Sequence, residues 1–191
     1  MIQRYFICGD KLMALNAKVG TSTFARAIIK KYYPDIDLDI TSAHYPEGEN
    51  ADTKQWQMKV PYRNNPDRPV VCLIREPVDR FCSAMAQIGL DDVDAAITEL
   101  LTEAGLYGYR QGVKLVENVH FVKQSNIVGA PIHYFRFPDQ IDDAARFLGL
   151  DLPLVIINEN TKVNKPEVTA VQSIAIRDFY KEDTALWNSL Q

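Results

Sequence analysis

The run of consecutive apolar residues from Val70 to Ile74 constrains the fold of this chain more than any other feature. The run reads Val-Val-Cys-Leu-Ile, with no alternation of polar and apolar positions, so the strand that it predicts is buried on both faces. Such strands are typical of a parallel sheet with helices on either side. Pro77, at a position favoured for the first residue of a helix, follows shortly after. We therefore predict a strand over 69–74 and a helix that begins at Pro77.

The other apolar patterns predict strands that alternate with helices. Further strands are expected at Tyr5–Cys8 and around Leu12, as a possible hairpin, at Leu38–Thr41 and at Ile132–Phe137. Helices are expected over 21–33, 91–104, 112–124 and 139–148, with one long or two shorter helices over 166–190. The polar stretch 45–69 reads as an irregular connection. This order predicts an α/β fold, a mainly parallel sheet flanked by helices, in one domain over 1–191.

Composition narrows the class of protein. The 191 residues are 47% hydrophobic and 24% charged, which is ordinary for a globular domain. The net charge of −4 argues against a general nucleic-acid or membrane-surface binder, so we expect neither as a partner. Cys8, Cys72 and Cys82 form no CxxC pair, which gives no support to a disulfide framework or a metal site. With no apolar run long enough to span a membrane and no signal-peptide pattern at the N-terminus, we expect a soluble, cytoplasmic protein.

The segment Asn16–Phe24 joins a predicted strand to a predicted helix and has the composition of a phosphate-binding turn. It holds small residues, hydroxyls and the cation of Lys18, next to the N–H groups that a helix leaves unpaired at its N-terminus. It is not a Walker A loop, because that motif has a lysine directly after a glycine and the chain contains no Gly-Lys pair. A helix capped by Thr21 or Ser22, with Lys18 in solvent, fits this segment alone equally well.

A second polar segment, Arg75–Ser83, begins where the best strand ends. Open α/β sheets bind ligands at the carboxyl ends of their strands, so Arg75 stands where an anion-binding residue is expected. Ser83 follows on the polar stripe of the next helix, and an arginine and a hydroxyl that converge there could hold a phosphate. Alternatively, Arg75 pairs with Glu76 or Asp79 and the stripe faces water. The residues of that stripe are Arg80, Ser83 and Gln87.

Together the two segments resemble the PAPS-dependent sulfotransferases, where PAPS is 3′-phosphoadenosine 5′-phosphosulfate. The first segment matches the family motif K-x-G-[ST]-x-[ST]-F, and the second matches R-x-P-x-x-R-F-x-S. In that family the loop with the first motif holds the 5′-phosphosulfate, and the loop with the second motif holds the 3′-phosphate. The resemblance implies a P-loop-like sulfotransferase fold, PAPS as co-substrate, no metal, and in-line transfer of a sulfuryl group to an acceptor hydroxyl of a sugar or another small molecule. The residues implied to bind PAPS are Lys18, Val19, Gly20, Thr21, Ser22, Thr23, Arg75 and Ser83.

Downstream segments resemble the carbohydrate-type branch of that family. His120–Gln124 is similar to its H-[FW]-x-x-Q segment. His120 could line the acceptor side of the pocket or pack as a core histidine, and the second role is favoured. Lys162 and Lys165 lie where family members often close a basic loop over the cofactor, and a solvated loop is the alternative. Further similar segments are 137–150, 158–161 and 176–183.

The resemblance also implies roles in catalysis. Lys18 would stabilise the charge on the leaving phosphate oxygen, and His44, just after the predicted strand Leu38–Thr41, would be the general base. Glu47 or Glu49 remains an alternative base. Two other functions stay open: a P-loop-class nucleotide or small-molecule kinase, and a non-catalytic binding protein with the same fold.

Overall fold

The computed structural model describes residues 5–14, 19–35, 62–63, 67–103, 115–118, 120–126, 132–154 and 164–190. The described strands are β1 (Tyr5–Cys8), β2 (Lys11–Ala14), β3 (Tyr62–Arg63), β4 (Val70–Arg75) and β5 (Ile132–Phe137). The described α-helices are α1 (Thr21–Tyr32), α2 (Pro77–Ile88), α3 (Val93–Thr102), α4 (Ile141–Phe147), α5 (Ala170–Phe179) and α6 (Lys181–Ser189). The predicted strand Leu38–Thr41 lies outside the described residues.

The strands form one sheet in the order β3-β1-β2-β4-β5. β2 pairs with β4 and β4 with β5 in parallel, whereas β1 pairs antiparallel with both β2 and β3. Among the described strands, β1 alone therefore runs against the others, which confirms a mainly parallel sheet in an α/β fold. The hairpin predicted at the start of the chain is confirmed as β1 and β2.

Strand β4 is buried on both faces, as its unbroken apolar sequence predicts. Val71 and Leu73 pack in a core with α1 and α4, while Cys72 and Ile74 face the opposite side and pack with residues of α6. Each of these four side chains is 0% exposed. A third apolar cluster joins α2, α3 and α5. The sheet is thus covered by helices on its two sides, with β4 between β2 and β5.

Most predicted helices are confirmed, with ends that differ by a few residues. The helix predicted at Pro77 begins there, with Glu76 as its N-cap, because the Glu76 side chain accepts the Asp79 amide. The C-terminal segment forms two helices, since the chain leaves helical geometry at Tyr180 between α5 and α6. No helix among the described residues is long and apolar enough to cross a membrane.

The helix predicted over 112–124 is wrong in its described part. Leu115–Glu117 and Gln124–Asn126 are short 3-10 helices, with turns between them. Glu99 accepts the Leu115 amide at 2.8 Å, and Asp183 accepts the amides of Gln124 and Ser125 at 2.8 and 2.7 Å. Carboxylates from distant helices thus take N–H groups that a continuous helix would bond internally.

Candidate functional site

Three strand ends and one helix start define the candidate site. β2 ends at Ala14, β4 at Arg75 and β5 at Phe137. Because these strands run parallel, their carboxyl ends lie at the same edge of the sheet. The residues that follow β2 lead into Gly20, the N-cap of α1. Both segments that the sequence singles out therefore reach the edge where α/β sheets bind ligands.

Gly20 has a backbone conformation and a close neighbour that both favour glycine. Its φ of +75° is left-handed, a region that other residues enter at a steric cost. A Cβ atom at this position would lie 2.8 Å from Cε2 of Phe137. The flanking side chains of Val19 and Thr23 are buried, and the Gly20 carbonyl accepts the Phe24 amide at 3.1 Å as α1 begins. The turn before α1 is thus packed directly against the Phe137 ring.

Arg75 contacts the same ring from the second segment. Its guanidinium carbon lies 5.4 Å from the centroid of Phe137, in cation–π geometry. Nη1 donates to Ser83 Oγ at 3.4 Å, and Nε donates to Asp79 Oδ2 at 2.6 Å. The contact of Arg75 with Ser83 and the alternative pairing with Asp79 therefore coexist. One aromatic ring touches both candidate anion-binding segments.

Asp79 is shared by two cations. Lys165 Nζ lies 2.5 Å from Asp79 Oδ1, opposite the oxygen that Arg75 contacts. Partial burial alone would raise the pKa of Asp79, but hydrogen bonds from Arg75 and Lys165 outweigh it and hold the pKa below the ordinary aspartate value. The neighbouring Glu76 pairs with Arg177 at 3.1 Å. The acidic start of α2 is thus matched by cations from the sheet and from the C-terminal part of the chain.

Gln124 holds the backbone of Arg75. Its Oε1 accepts the Arg75 amide at 2.9 Å and its Nε2 donates to the Arg75 carbonyl at 2.8 Å. The side chain is 0% exposed. Gln124 is the last residue of the H-F-V-K-Q segment, so the sequence singled out the position without giving it a role. Phe137 is a second contributor whose part in the site the sequence did not reveal.

Arg80 does not belong to a solvent-facing stripe, which corrects that expectation. It is 2% exposed, burial lowers the pKa of its guanidinium, and the charges of Tyr180 and Asp183 act against this shift. Ser83 is half-buried and Gln87 is exposed on the same helix. Arg80 is therefore part of the interior between α2 and the C-terminal helices.

Two of the three histidines, His120 and His133, lie within the described residues. His133 packs against Phe147, with ring centroids 4.3 Å apart. His120 is half-buried in the turn whose Asn118 side chain accepts its amide at 2.9 Å. The role of His120, as a core residue or as one that lines the acceptor side of the pocket, stays a prediction.

Several predicted site residues lie outside the described part of the chain. These are Lys18, His44, Glu47, Glu49 and Lys162. For Thr21 and Ser22 the structure describes the backbone in the first turn of α1. Within the described ranges, no group of three or more His, Cys, Asp or Glu side chains is arranged to hold a metal ion.

Comparisons with protein-family models, with curated proteins and with solved structures found no match to this chain. The resemblance to sulfotransferases therefore rests on the residues of the two segments and on the order in which they occur.

Proposed function

We propose that this chain is a PAPS-dependent sulfotransferase with a P-loop-like sulfotransferase fold, acting on a hydroxyl of a sugar or another small molecule. The observation that carries the proposal is the contact of one ring, Phe137, with both the Gly20 turn and the Arg75 guanidinium. Two segments of different anion-binding chemistry thus meet at the carboxyl edge of the sheet. PAPS carries its 3′-phosphate and 5′-phosphosulfate on one ribose, so a compact pair of anion sites suits it.

Each of the two segments offers groups suited to one of the two anionic groups of PAPS. The glycine turn at the start of α1 offers backbone N–H groups and the positive end of the helix dipole to the 5′-phosphosulfate. Arg75 and Ser83 offer a guanidinium and a hydroxyl to the 3′-phosphate. Lys165 stands beside them through Asp79 and adds positive charge to the same end.

Catalysis in this proposal consists of in-line positioning and charge stabilisation. The bond between the sulfuryl sulfur and the bridging phosphate oxygen breaks as a bond from that sulfur to the acceptor oxygen forms. Lys18 and the N–H groups of the first turn of α1 stabilise the negative charge left on the phosphate oxygen. His44, or one of Glu47 and Glu49, takes the proton of the acceptor hydroxyl.

Calorimetric titration with adenosine 3′,5′-bisphosphate tests the donor site. We expect the wild type to bind, and Arg75→Ala to weaken binding by about 10- to 100-fold, since hydrogen bonds to charged groups contribute about 1.5–3 kcal/mol. Arg146→Ala is the matched control, because Arg146 is an exposed arginine of α4 paired with Asp143. A wild type that fails to bind contradicts the proposal. Binding of ATP with Mg²⁺ instead favours the kinase alternative.

Transfer of the sulfuryl group from radiolabelled PAPS to a panel of sugar and phenol acceptors tests catalysis. We expect Lys18→Ala to abolish most turnover at saturating PAPS, and His44→Ala to lower turnover while nucleotide binding stays intact. Near-normal turnover of Lys18→Ala contradicts the mechanism. Unchanged turnover of His44→Ala assigns the base to a carboxylate, and Glu47→Gln and Glu49→Gln then identify which one. Nucleotide binding without transfer to any acceptor favours the non-catalytic alternative.

A further inference from the structure

We propose that Gln124 is a positioning residue for Arg75: its buried side chain extends the sheet beyond the end of β2 and fixes the arginine that binds the anion. The inference rests on the proposed function in so far as it concerns the 3′-phosphate. The role of Gln124 at the Arg75 backbone stands on the geometry alone.

Strand β4 continues for several residues after its last described paired position with β2. β2 ends at Ala14, and its paired positions are Leu12 with Val70 and Met13 with Val71. The Leu12 amide donates to the Pro69 carbonyl at 2.8 Å. The N–H and C=O groups of successive strand residues point to opposite edges of the strand. Arg75 is six positions after Pro69, an even number, so its N–H and C=O point toward β2 as the Pro69 carbonyl does. The last described pair of the two strands, Met13 with Val71, lies four residues before Arg75.

The carboxamide of Gln124 bonds both backbone groups of Arg75. It accepts the Arg75 amide and donates to the Arg75 carbonyl, as a residue of a neighbouring strand would. These two hydrogen bonds are part-buried, so losing them would cost at most about 1–3 kcal/mol each. An isosteric apolar side chain in place of Gln124 therefore frees the end of β4 at the residue that carries the guanidinium.

A buried carboxylate, that of Asp183, holds the backbone of Gln124 itself. Asp183 of α6 accepts the amides of Gln124 and Ser125 on its two oxygens and is 0% exposed. Tyr180, just before α6, donates its hydroxyl to the Phe121 carbonyl at 2.7 Å. The C-terminal helix pair thus fixes the segment that presents the Gln124 carboxamide. A chain of hydrogen bonds runs from α6 through Gln124 to Arg75.

Fixing Arg75 in place raises the affinity for the ligand because the arginine is already ordered before the ligand binds. Arg75 is held at its backbone by Gln124 and along its side chain by Asp79 and Ser83. An arginine ordered before the ligand arrives does not lose that conformational freedom on binding, so the complex is tighter. Loss of the backbone hold gives the guanidinium a wider range of positions and weakens binding with Arg75 still present.

The test is the affinity of Gln124→Met for adenosine 3′,5′-bisphosphate, alone and combined with Arg75→Ala. We expect Gln124→Met to weaken binding by about tenfold in the wild-type background. In the Arg75→Ala background we expect no further loss, because the residue that Gln124 positions is gone. Glu99→Gln is the control, since Glu99 is equally buried and accepts the Leu115 amide from α3. We expect it to lower thermal stability without changing the affinity.

Two outcomes overturn the inference. One is a Gln124→Met protein that unfolds at lower temperature but binds as tightly as the wild type. The other is a loss of affinity that is the same with and without Arg75, as a general loss of structure would produce. Hydrogen exchange at the Arg75 amide separates this inference from the proposed function, because it needs no ligand. Faster exchange in Gln124→Met than in Glu99→Gln supports the role of Gln124 even if no nucleotide binds, and equal exchange refutes it.

Discussion

The Gly20 turn and the Arg75 cluster lie against the same ring but are built in different ways. At Gly20 the structure depends on backbone conformation, because a positive φ and the nearby Phe137 ring leave no room for a side chain. At Arg75 it depends on charge, because the Asp79 carboxylate pairs with both the Arg75 guanidinium and the Lys165 ammonium. One half of the site is therefore limited by steric fit and the other by electrostatics. Substitutions in the first half should change stability, and those in the second should change affinity.

The largest expected effect is on stability at Gly20. Gly20→Ala should lower the free energy of unfolding by about 2–5 kcal/mol, from the left-handed backbone and from overlap with Phe137. Gly89→Ala is the matched control: its φ is +73°, close to that of Gly20, but a Cβ there meets nothing within 4 Å. It should cost only about 1–2 kcal/mol. Urea unfolding measures both, and equal losses would show that the Phe137 contact contributes nothing.

A smaller effect of opposite sign is expected at Asp79. Asp79 helps to order Arg75, but it would also compete with a bound phosphate for Arg75 and Lys165. We expect the competition to outweigh the ordering, so Asp79→Asn should tighten binding of adenosine 3′,5′-bisphosphate by about three- to tenfold at low salt. Glu76→Gln, which removes a neighbouring carboxylate that faces Arg177, should change affinity by less than about twofold. Calorimetry at low and high salt measures both. Weaker binding by Asp79→Asn would show that Asp79 mainly positions the arginine.

The same carboxylate should give a modest dependence of stability on pH. Because the pKa of Asp79 is lowered in the folded chain, its ionised form stabilises the fold above the ordinary pKa of 3.8, and this contribution is lost as the pH falls through the folded-state pKa. Asp79 is 44% exposed, so the loss should be at most about 1 kcal/mol. The wild type should be more stable than Asp79→Asn at neutral pH, and the difference should disappear in acid. A constant difference would contradict the ion-pair account.

The smallest effect is expected at Ser83. Its hydroxyl accepts from Arg75 Nη1 at 3.4 Å, a long hydrogen bond. Ser83→Ala should weaken nucleotide binding by about threefold, in line with a neutral hydrogen bond of less than about 1 kcal/mol. Ser189→Ala, which removes a hydroxyl that donates to Leu186 at the end of α6, is the control and should bind normally. A loss as large as that of Arg75→Ala would mean that Ser83 contributes as much to nucleotide binding as Arg75 does.

The sequence predicted correctly those strands and helices whose apolar pattern and end signals lie within the element itself. β4 follows from five apolar residues in a row, and α2 from the proline and the apolar stripe after it. It failed at 112–124 because the acceptors of the Leu115 and Gln124 amides are Glu99 and Asp183, which lie 16 and 59 residues away. Such side-chain acceptors override local helical preference, and no local pattern announces them.

The candidate site shows the same limit. The contact of Arg75 with Ser83 was predictable, because a strand end and the next helix bring them together over eight residues. The partners that complete the cluster come from afar: Gln124 is 49 residues from Arg75, and Lys165 is 86 residues from Asp79. The sequence placed Lys165 near the cofactor only through a family resemblance. That its ammonium meets the carboxylate that Arg75 contacts needed the fold.

The position of Phe137 has a consequence for the choice of ligand. One benzene ring contacts both the Gly20 turn and the Arg75 guanidinium, and the dimensions of a ring are fixed. Under the proposed function, the ring would therefore help to set the distance between the two anion-binding segments. A site with such a set distance would discriminate between ligands by the spacing of their charged groups rather than by total charge. Two phosphates on one ribose and the same two phosphates in a row would then be different ligands.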